Sequence, residues 1–126
     1  MAAGETLVVK VALIGGRDIS GVPFHLSFNP DVLEFVAARE GSTFRSSSLS
    51  PILLAGVSPE RPGDLAVGLS LIGSGGLLSA SGDILELEFR GLRPGSSSMQ
   101  FDRASLRGAH GETLSAQFFS ASVTVR

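Results

Sequence analysis

Residues Val22 to Phe35 read VPFHLSFNPDVLEF, and this stretch decides the fold class. From Val22 to Phe28 the even positions are apolar, and the odd positions hold proline, histidine and serine. A period of two is typical of a strand that buries one face. Asn29-Pro30-Asp31 predicts a turn, because proline presets φ and the Asn and Asp side chains bond to nearby backbone. A second apolar run then begins at Val32, so the stretch predicts two strands joined by a turn.

The same pattern continues along the chain. Ile84 to Arg90 alternates apolar residues with Glu86, Glu88 and Arg90, and clusters of Gly, Pro, Ser and Asp separate the runs. About eight or nine short strands at regular spacing predict an all-β sandwich or jelly roll. A chain of 126 residues has the length of one domain, so we expect a single domain over residues 1–126. Because the chain ends within a predicted strand, we expect it to be excised from a longer protein.

Composition excludes several classes of function. The chain has 10 Lys and Arg against 12 Asp and Glu, with no basic run, so we expect no nucleic-acid partner. It has no Cys, which excludes disulfides and thiolate metal sites. No apolar run approaches the roughly 18 residues of a membrane helix, so we expect no membrane insertion.

The residues that could carry catalysis are isolated or paired with countercharges. His25 and His110 lie far apart in the sequence, and neither has convergent metal ligands nearby. Glu86 and Glu88 share one strand face with Arg90, which is typical of a solvated face rather than an acid–base pair. No serine lies in a Gly-x-Ser-x-Gly motif. The sequence therefore predicts a non-enzymatic domain without a cofactor.

Five segments, taken in order, resemble a cohesin module. They are distributed over most of the chain, from residue 22 to residue 125: Val22 to Phe35, Gly63 to Leu71, Gly82 to Phe89, Leu92 to Ser96, and Ala121 to Val125. The sequence is most similar to cohesin-like domains outside cellulosomes, such as those of type II secretion secretins. The resemblance implies a nine-stranded jelly-roll β-sandwich from a superfamily that also contains carbohydrate-binding modules.

The resemblance also implies a function and a location. Cohesins dock a partner's dockerin module on one sheet face, and calcium is bound by the dockerin, so calcium is expected in the partner. We therefore expect a protein–protein docking module that is exported and acts in the cell envelope, the periplasm or outside the cell. One departure concerns Gly21 and Pro23, which stand where cellulosomal cohesins often carry Asn and Asp that bond to dockerin.

Two alternative functions remain. The first is a carbohydrate-binding module on the same fold. It is disfavoured because sugar platforms commonly use Trp or Tyr, whereas all eight aromatic residues here are Phe. The second is a structural domain of a secretion or surface assembly. A glycan-binding screen and concentration-dependent association would distinguish these alternatives from docking.

The strand predicted from Leu65 to Ile72 has one leucine-rich face and one face of small residues. The alternation alone favours a buried leucine face, because a slip of one residue would expose all of it. The resemblance instead implies that the leucine face points to the partner. On that interpretation, the predicted partner-binding residues are Pro23, His25, Val67, Leu69 and Leu71. Pro23 adds a constraint, because its missing N–H predicts an edge or a bulge at this position.

Overall fold

The computed structural model describes residues 2–15, 18–45, 51–71, 81–108, 110, 112–114, 118 and 121–126. Within these residues the chain forms ten strands and one helical turn, α1 (Ser42–Arg45). The strands are β1 (Thr6–Leu13), β2 (Gly21–Ser27), β3 (Leu33–Glu40), β4 (Pro51–Ser58), β5 (Arg61–Leu71), β6 (Gly82–Gly91), β7 (Gly95–Asp102), β8 (Leu106–Arg107), β9 (Thr113–Leu114) and β10 (Ala121–Val125).

The strands form two antiparallel sheets. The small sheet has the order β1-β6-β3, and the large sheet has the order β10-β7-β2-β5-β4. The two-residue strands β8 and β9 extend the large sheet beside β2. This arrangement confirms the predicted all-β sandwich. The count of ten includes β8 and β9, which have two residues each and are too short to show a period in the sequence.

The core lies between the sheets and centres on phenylalanine contacts. Phe89 of β6 packs edge-on against Phe28 and Phe35, with ring centroids 5.2 and 5.7 Å apart. Phe24 of β2 makes a similar contact with Phe101 at 5.2 Å. Burying a large apolar side chain stabilises the fold by about 1.5–3 kcal/mol. The even positions of β2 therefore form part of the core, as their alternation predicts.

The leucine face of β5 is part of the same core. Leu65, Val67 and Leu69 are 0%, 4% and 2% exposed, and Leu71 is half-buried against the core. The interpretation that this face is exposed to a partner is therefore wrong. β5 lies between β2 and β4 in the large sheet. Its bulky side chains point to one side of that sheet, into the core between the two sheets. β5 ends at Leu71, and the predicted strand residue Ile72 lies outside the described residues.

Pro23 lies in a central strand rather than at an edge. β2 pairs with β5 along its whole length, while its other side pairs with β7 from His25 onward and with β8 at Gly21. Pro23 therefore faces the interruption between β7 and β8, where its carbonyl accepts a hydrogen bond from the Ser105 N–H at 3.1 Å. Proline has no N–H to donate, and among the described residues no strand lies opposite that position to accept a hydrogen bond. Pro23 is therefore tolerated inside the sheet without lying on an edge strand.

The predicted turn after β2 is present. The Asn29 side-chain oxygen accepts a hydrogen bond from the Asp31 N–H at 3.0 Å. The Asn29 backbone carbonyl accepts hydrogen bonds from the N–H groups of Val32 and Leu33. The buried Ser97 hydroxyl accepts from the Asn29 N–H at 2.8 Å, which ties the turn to β7. These bonds reverse the chain from the large sheet into β3 of the small sheet.

Candidate functional site

The outward side chains of β2, β5 and β4 form one nearly flat surface, called here the β2–β5–β4 face. The register aligns them in rows, and Pro23, Gly68 and Leu54 lie side by side across the three strands. The remaining rows and members of the face follow from the same register: His25, Ile52, Gly56, Ala66 and Ser70. Most of these residues are apolar or small, because the bulky residues of β5 point the other way.

The centre of this face is an open, shallow depression. Its floor is formed by Ala66, Gly56 and Gly68, and its sides by Leu54 and Pro23. A methyl group added at either glycine would meet no atom within 4 Å, so the floor is open space. Leu54 is 71% exposed, and Ile52 beside it is 44% exposed. The depression can therefore receive a side chain from another molecule, and Leu54 would cover part of that side chain.

A polar cluster borders the depression on the β2 side. The Asp64 carboxylate lies 2.9 Å from His25 Nδ1 through one oxygen and 3.2 Å from Arg103 Nη2 through the other. Arg103 Nη2 is also 3.1 Å from His25 Nδ1. One imidazole nitrogen cannot donate to Asp64 and accept from Arg103 together. The arrangement that satisfies both partners has Nδ1–H and the guanidinium each donating to Asp64.

Arg103 owes its position to an unusual backbone conformation. Its φ is +49°, in the left-handed region, where a non-glycine residue costs about 1–3 kcal/mol. The residue follows β7 directly and turns its guanidinium back over β2, where it lines the depression. Its Nε lies 3.7 Å from the exposed Asp102 carboxylate. The cluster thus places a charged group at the border of an otherwise apolar surface.

The structure separates the five predicted partner-binding residues. Pro23 and His25 lie on the β2–β5–β4 face. Val67 and Leu69 are buried, and Leu71 packs against the core, so these three side chains do not form an exposed patch. Whether Pro23 and His25 contact a partner stays a prediction.

Gly21 has a neighbour that the sequence did not indicate. A Cβ at this position would lie 3.8 and 3.9 Å from Cβ and Cγ of Arg107. The Arg107 guanidinium in turn donates to the Thr113 hydroxyl at 3.1 Å. The Leu69 carbonyl oxygen would lie closer still to a Cβ at Gly21, at 3.3 Å, so the Gly21 position is in contact with both β5 and the aliphatic part of Arg107.

Sequence reasoning missed Leu54, Ile52 and Arg103 as members of this surface. The run from Ile52 to Val57 is almost continuously apolar and shows no alternation, so its outward side could not be recognised. Arg103 belongs to a turn, where no periodicity applies. A signal for Leu54 was available only in the small residues opposite it, since Gly68 leaves its side chain uncovered.

The outer face of the small sheet is charged and ion-paired. Arg39 lies 3.1 Å from Glu88 and 3.7 Å from Glu86, and Arg90 lies 2.8 Å from Glu34. The two glutamates thus share a guanidinium from the neighbouring strand. This arrangement agrees with the interpretation of Glu86, Glu88 and Arg90 as a polar outer face.

Among the described residues, no group of three or more His, Asp or Glu side chains is placed to hold a metal ion. His110 is exposed, and its backbone N–H donates to the Glu112 carboxylate at 3.1 Å. In the same described ranges, no helix is both long and apolar enough to cross a membrane.

The family model described as the cohesin domain matches residues 1–105 of the chain. No curated protein sequence matches the chain. Among solved structures, a non-cellulosomal cohesin from the hyperthermophilic archaeon Archaeoglobus fulgidus is similar, with a TM-score of 0.79 and 17% identity. That alignment covers 99% of this chain and 83% of the archaeal one.

Two further solved structures contain dockerins. The sixth cohesin of Acetivibrio cellulolyticus scaffoldin B, in complex with a mutant Cel5 dockerin, has a TM-score of 0.80 and 21% identity over 100% of this chain and 92% of that one. A type I cohesin–dockerin complex from Clostridium thermocellum, Coh-OlpA with Doc918, has a TM-score of 0.75 and 17% identity over the same shares. At these identities the likeness shows the fold.

Proposed function

The chain belongs to the cohesin domain family, and from that premise we propose that it docks a dockerin-like protein through the β2–β5–β4 face. Cohesin domains are protein–protein interaction modules, and the solved relatives include two bound to dockerins. The proposal extends to location: the domain acts in an exported or envelope-associated assembly. Calcium, where it is needed, is supplied with the partner.

One observation carries the proposal. The β2–β5–β4 face combines an open apolar depression and a 71% exposed Leu54 with a polar cluster at its border. Interfaces typically have an apolar centre, in which a few residues supply most of the affinity, and a polar rim. A partner side chain in the depression would contact Leu54 and Pro23, while His25 and Arg103 would form part of the rim.

The departure at Gly21 and Pro23 shapes the proposed contact. Neither residue offers a side-chain hydrogen bond, so the apolar depression has to supply more of the affinity than it would in a cohesin with Asn and Asp there. Arg103 and His25 are the polar groups nearest to those positions that line the depression. We therefore expect a partner that presents a bulky apolar side chain over Gly68.

The test is a capture experiment with matched variants. The immobilised domain is exposed to envelope and secreted proteins of the source organism, with and without a calcium chelator, and retained proteins are identified by mass spectrometry. Leu54→Ser removes the exposed apolar side chain of the depression. Val8→Ser is the control, because Val8 is an exposed apolar residue on the outer face of the small sheet.

The proposal predicts a specific protein that the wild type and Val8→Ser retain and that Leu54→Ser loses. Loss of retention with the chelator would identify a calcium-dependent, dockerin-like partner. If Leu54→Ser retains the same protein as well as the wild type does, the proposed face is wrong. If no protein is retained by the wild type, docking itself is contradicted.

A further inference from the structure

Among the described residues, strand β4 is an edge of the large sheet, and half of its backbone groups point away from β5. The Gly63 carbonyl accepts a hydrogen bond from the Phe28 N–H, and the Leu71 N–H donates to the Ser20 carbonyl. The backbone groups of the odd residues of β5 therefore face β2, and those of the even residues face β4. In the register between β4 and β5, these even residues of β5 lie opposite Ile52, Leu54 and Gly56. The backbone hydrogen bonds between the two strands are therefore made by Ile52, Leu54 and Gly56. Alternate residues of an antiparallel strand face opposite neighbours, so the N–H and C=O groups of Leu53, Ala55 and Val57 point outward.

The other sheet edges carry devices that discourage pairing with another chain. β1 has Lys10 and a register irregularity between Val11 and Ala12. β3 has an irregularity between Phe35 and Ala37 and ends in Arg39 and Glu40. β10, at the far edge of the large sheet, is only five residues long.

β4 has none of these devices over most of its length. It has eight residues without a single charge, its proline is at the first position, and its register is regular up to Val57. A regular, uncharged and partly exposed apolar edge is a template for strand addition. From Pro51 to Val57, β4 is therefore the edge that is best suited to pair with another strand.

We propose that this edge pairs antiparallel with β4 of a second copy of the chain, so that the two large sheets become continuous. A two-fold axis makes such an interface self-complementary, because each contact occurs twice. The inference goes beyond the proposed docking function, because it rests on the outward backbone groups of Leu53 and Ala55. Leu54 and Gly56 belong to both surfaces, since they also line the depression.

The sequence of β4 is complementary to itself in one register. If the axis passes beside Leu54, the two Leu54 side chains face each other in a pair without backbone hydrogen bonds, where cross-strand side chains are closest. Ile52 of each copy then lies opposite Gly56 of the other. Because a Cβ at Gly56 would meet no atom within 4 Å, this glycine leaves room for Ile52.

The backbone agrees with this register. Leu53 of one copy would exchange both hydrogen bonds with Ala55 of the other, and both residues have outward N–H and C=O groups. Pro51, which has no N–H, would fall at the margin of the paired segment. No like charges meet, since the segment carries none. The match of a large residue at 52 with an empty position at 56 favours a second copy over an unrelated strand.

Two variants test the pairing. Ala55→Pro removes an outward N–H that the bonds to β5 do not use, so it should block strand addition while leaving the sheet paired. Gly56→Val fills the space that Ile52 of the other copy needs. Gly68→Val is the matched control, because it adds the same group to an equally open position one strand away from the edge.

The experiment is sedimentation equilibrium of the chain from micromolar to millimolar concentration. We expect a reversible monomer–dimer equilibrium for the wild type and Gly68→Val, and a dissociation constant at least about tenfold weaker for the other two variants. In concentrated samples, the amide hydrogens of Leu53 and Ala55 should exchange more slowly than in dilute ones. The amide hydrogens of Leu54 and Gly56, which bond to β5, should show no concentration dependence.

Two results would overturn the inference. A wild type that stays monomeric at millimolar concentration contradicts it outright. Association that Gly56→Val and folded Ala55→Pro leave unchanged, with no concentration-dependent protection at Leu53 and Ala55, would place the contact elsewhere on the molecule.

Discussion

The outer face of the small sheet and the outer face of the large sheet have the same backbone pattern but opposite side-chain chemistry. On the small sheet, Arg39 and Arg90 pair with glutamates across neighbouring strands. On the large sheet, the β2–β5–β4 face has small and apolar residues over three strands, and its charges gather at one border around Asp64. Both faces are in contact with solvent.

The difference supports the proposed docking through the β2–β5–β4 face. A charged, ion-paired face is well solvated and gains little by being covered. A face with exposed leucine and an open floor gains hydrophobic free energy when another molecule covers it. The two faces therefore differ in what they offer a partner more than in what they contribute to folding.

The largest effect on stability should come from a charge on the buried face of β5. Leu69→Asp places a charge in the core beneath the β2–β5–β4 face, and we expect a loss of at least about 4 kcal/mol of unfolding free energy. Leu54→Asp is the control on the outer side and should unfold at nearly the wild-type urea concentration. Circular dichroism during urea unfolding measures both. A folded Leu69→Asp would mean that the leucine face is not core.

The next effect concerns the floor of the depression. Gly68→Val fills it without meeting a neighbouring atom, so we expect stability within about 1 kcal/mol of the wild type. Affinity for the captured partner should fall at least about tenfold, or about 1.4 kcal/mol. Surface plasmon resonance and thermal unfolding provide the two readouts. Unchanged affinity would show that the partner does not enter the depression.

The polar cluster of Asp64, His25 and Arg103 should contribute less to stability than the buried face of β5. Asp64→Asn keeps the shape of the side chain but removes the charge that both His25 and Arg103 bond to, and we expect a loss of about 1–2 kcal/mol in unfolding free energy. Asp102→Asn is the control, since its exposed carboxylate lies 3.7 Å from Arg103, and it should change stability by less than about 0.5 kcal/mol. Equal effects of the two variants would show that Asp64 has no special role.

The smallest effect should come from the charged face of the small sheet. Arg39→Gln removes the guanidinium between Glu86 and Glu88, and because the arginine is exposed we expect a loss of less than about 1 kcal/mol. High salt should shrink the difference further, because it screens exposed charges. Arg93→Gln, at an exposed position beyond β6, is the control. A loss above about 2 kcal/mol, measured by urea unfolding, would mean that this face is more than a solvated one.

Local patterns were sufficient for much of the fold. The alternation in Val22 to Phe28 and in Ile84 to Arg90 identified the buried faces of β2 and β6, because a period of two depends only on strand geometry. The turn at Asn29 followed from the hydrogen-bonding capacity of its own side chain. The ordered resemblance to cohesins identified the family that the match over residues 1–105 shows.

The surface could not be predicted in the same way. The alternation favoured a buried leucine face on β5, and the burial of Val67 and Leu69 confirms it. These residues were assigned to a partner only because the resemblance to cohesins implied that this face points outward. Leu54 and Arg103 were not predicted because their exposure depends on the strands beside them. Leu54 lies opposite Gly68, and Arg103 lies beside the interruption after β7. Such neighbours are distant in sequence and become adjacent only on folding.

The sequence by itself therefore determined that the chain forms a two-sheet sandwich, which residues alternate along each strand, and where the chain turns. These properties depend on interactions between residues close together in the chain. The tertiary structure decided that the leucine face of β5 is core, as the alternation favoured and against what the resemblance implied. It alone showed that Leu54 is exposed and that Asp64 lies between His25 and Arg103. Burial and ion pairing depend on which strands become neighbours, and the strand order sets this for the whole molecule.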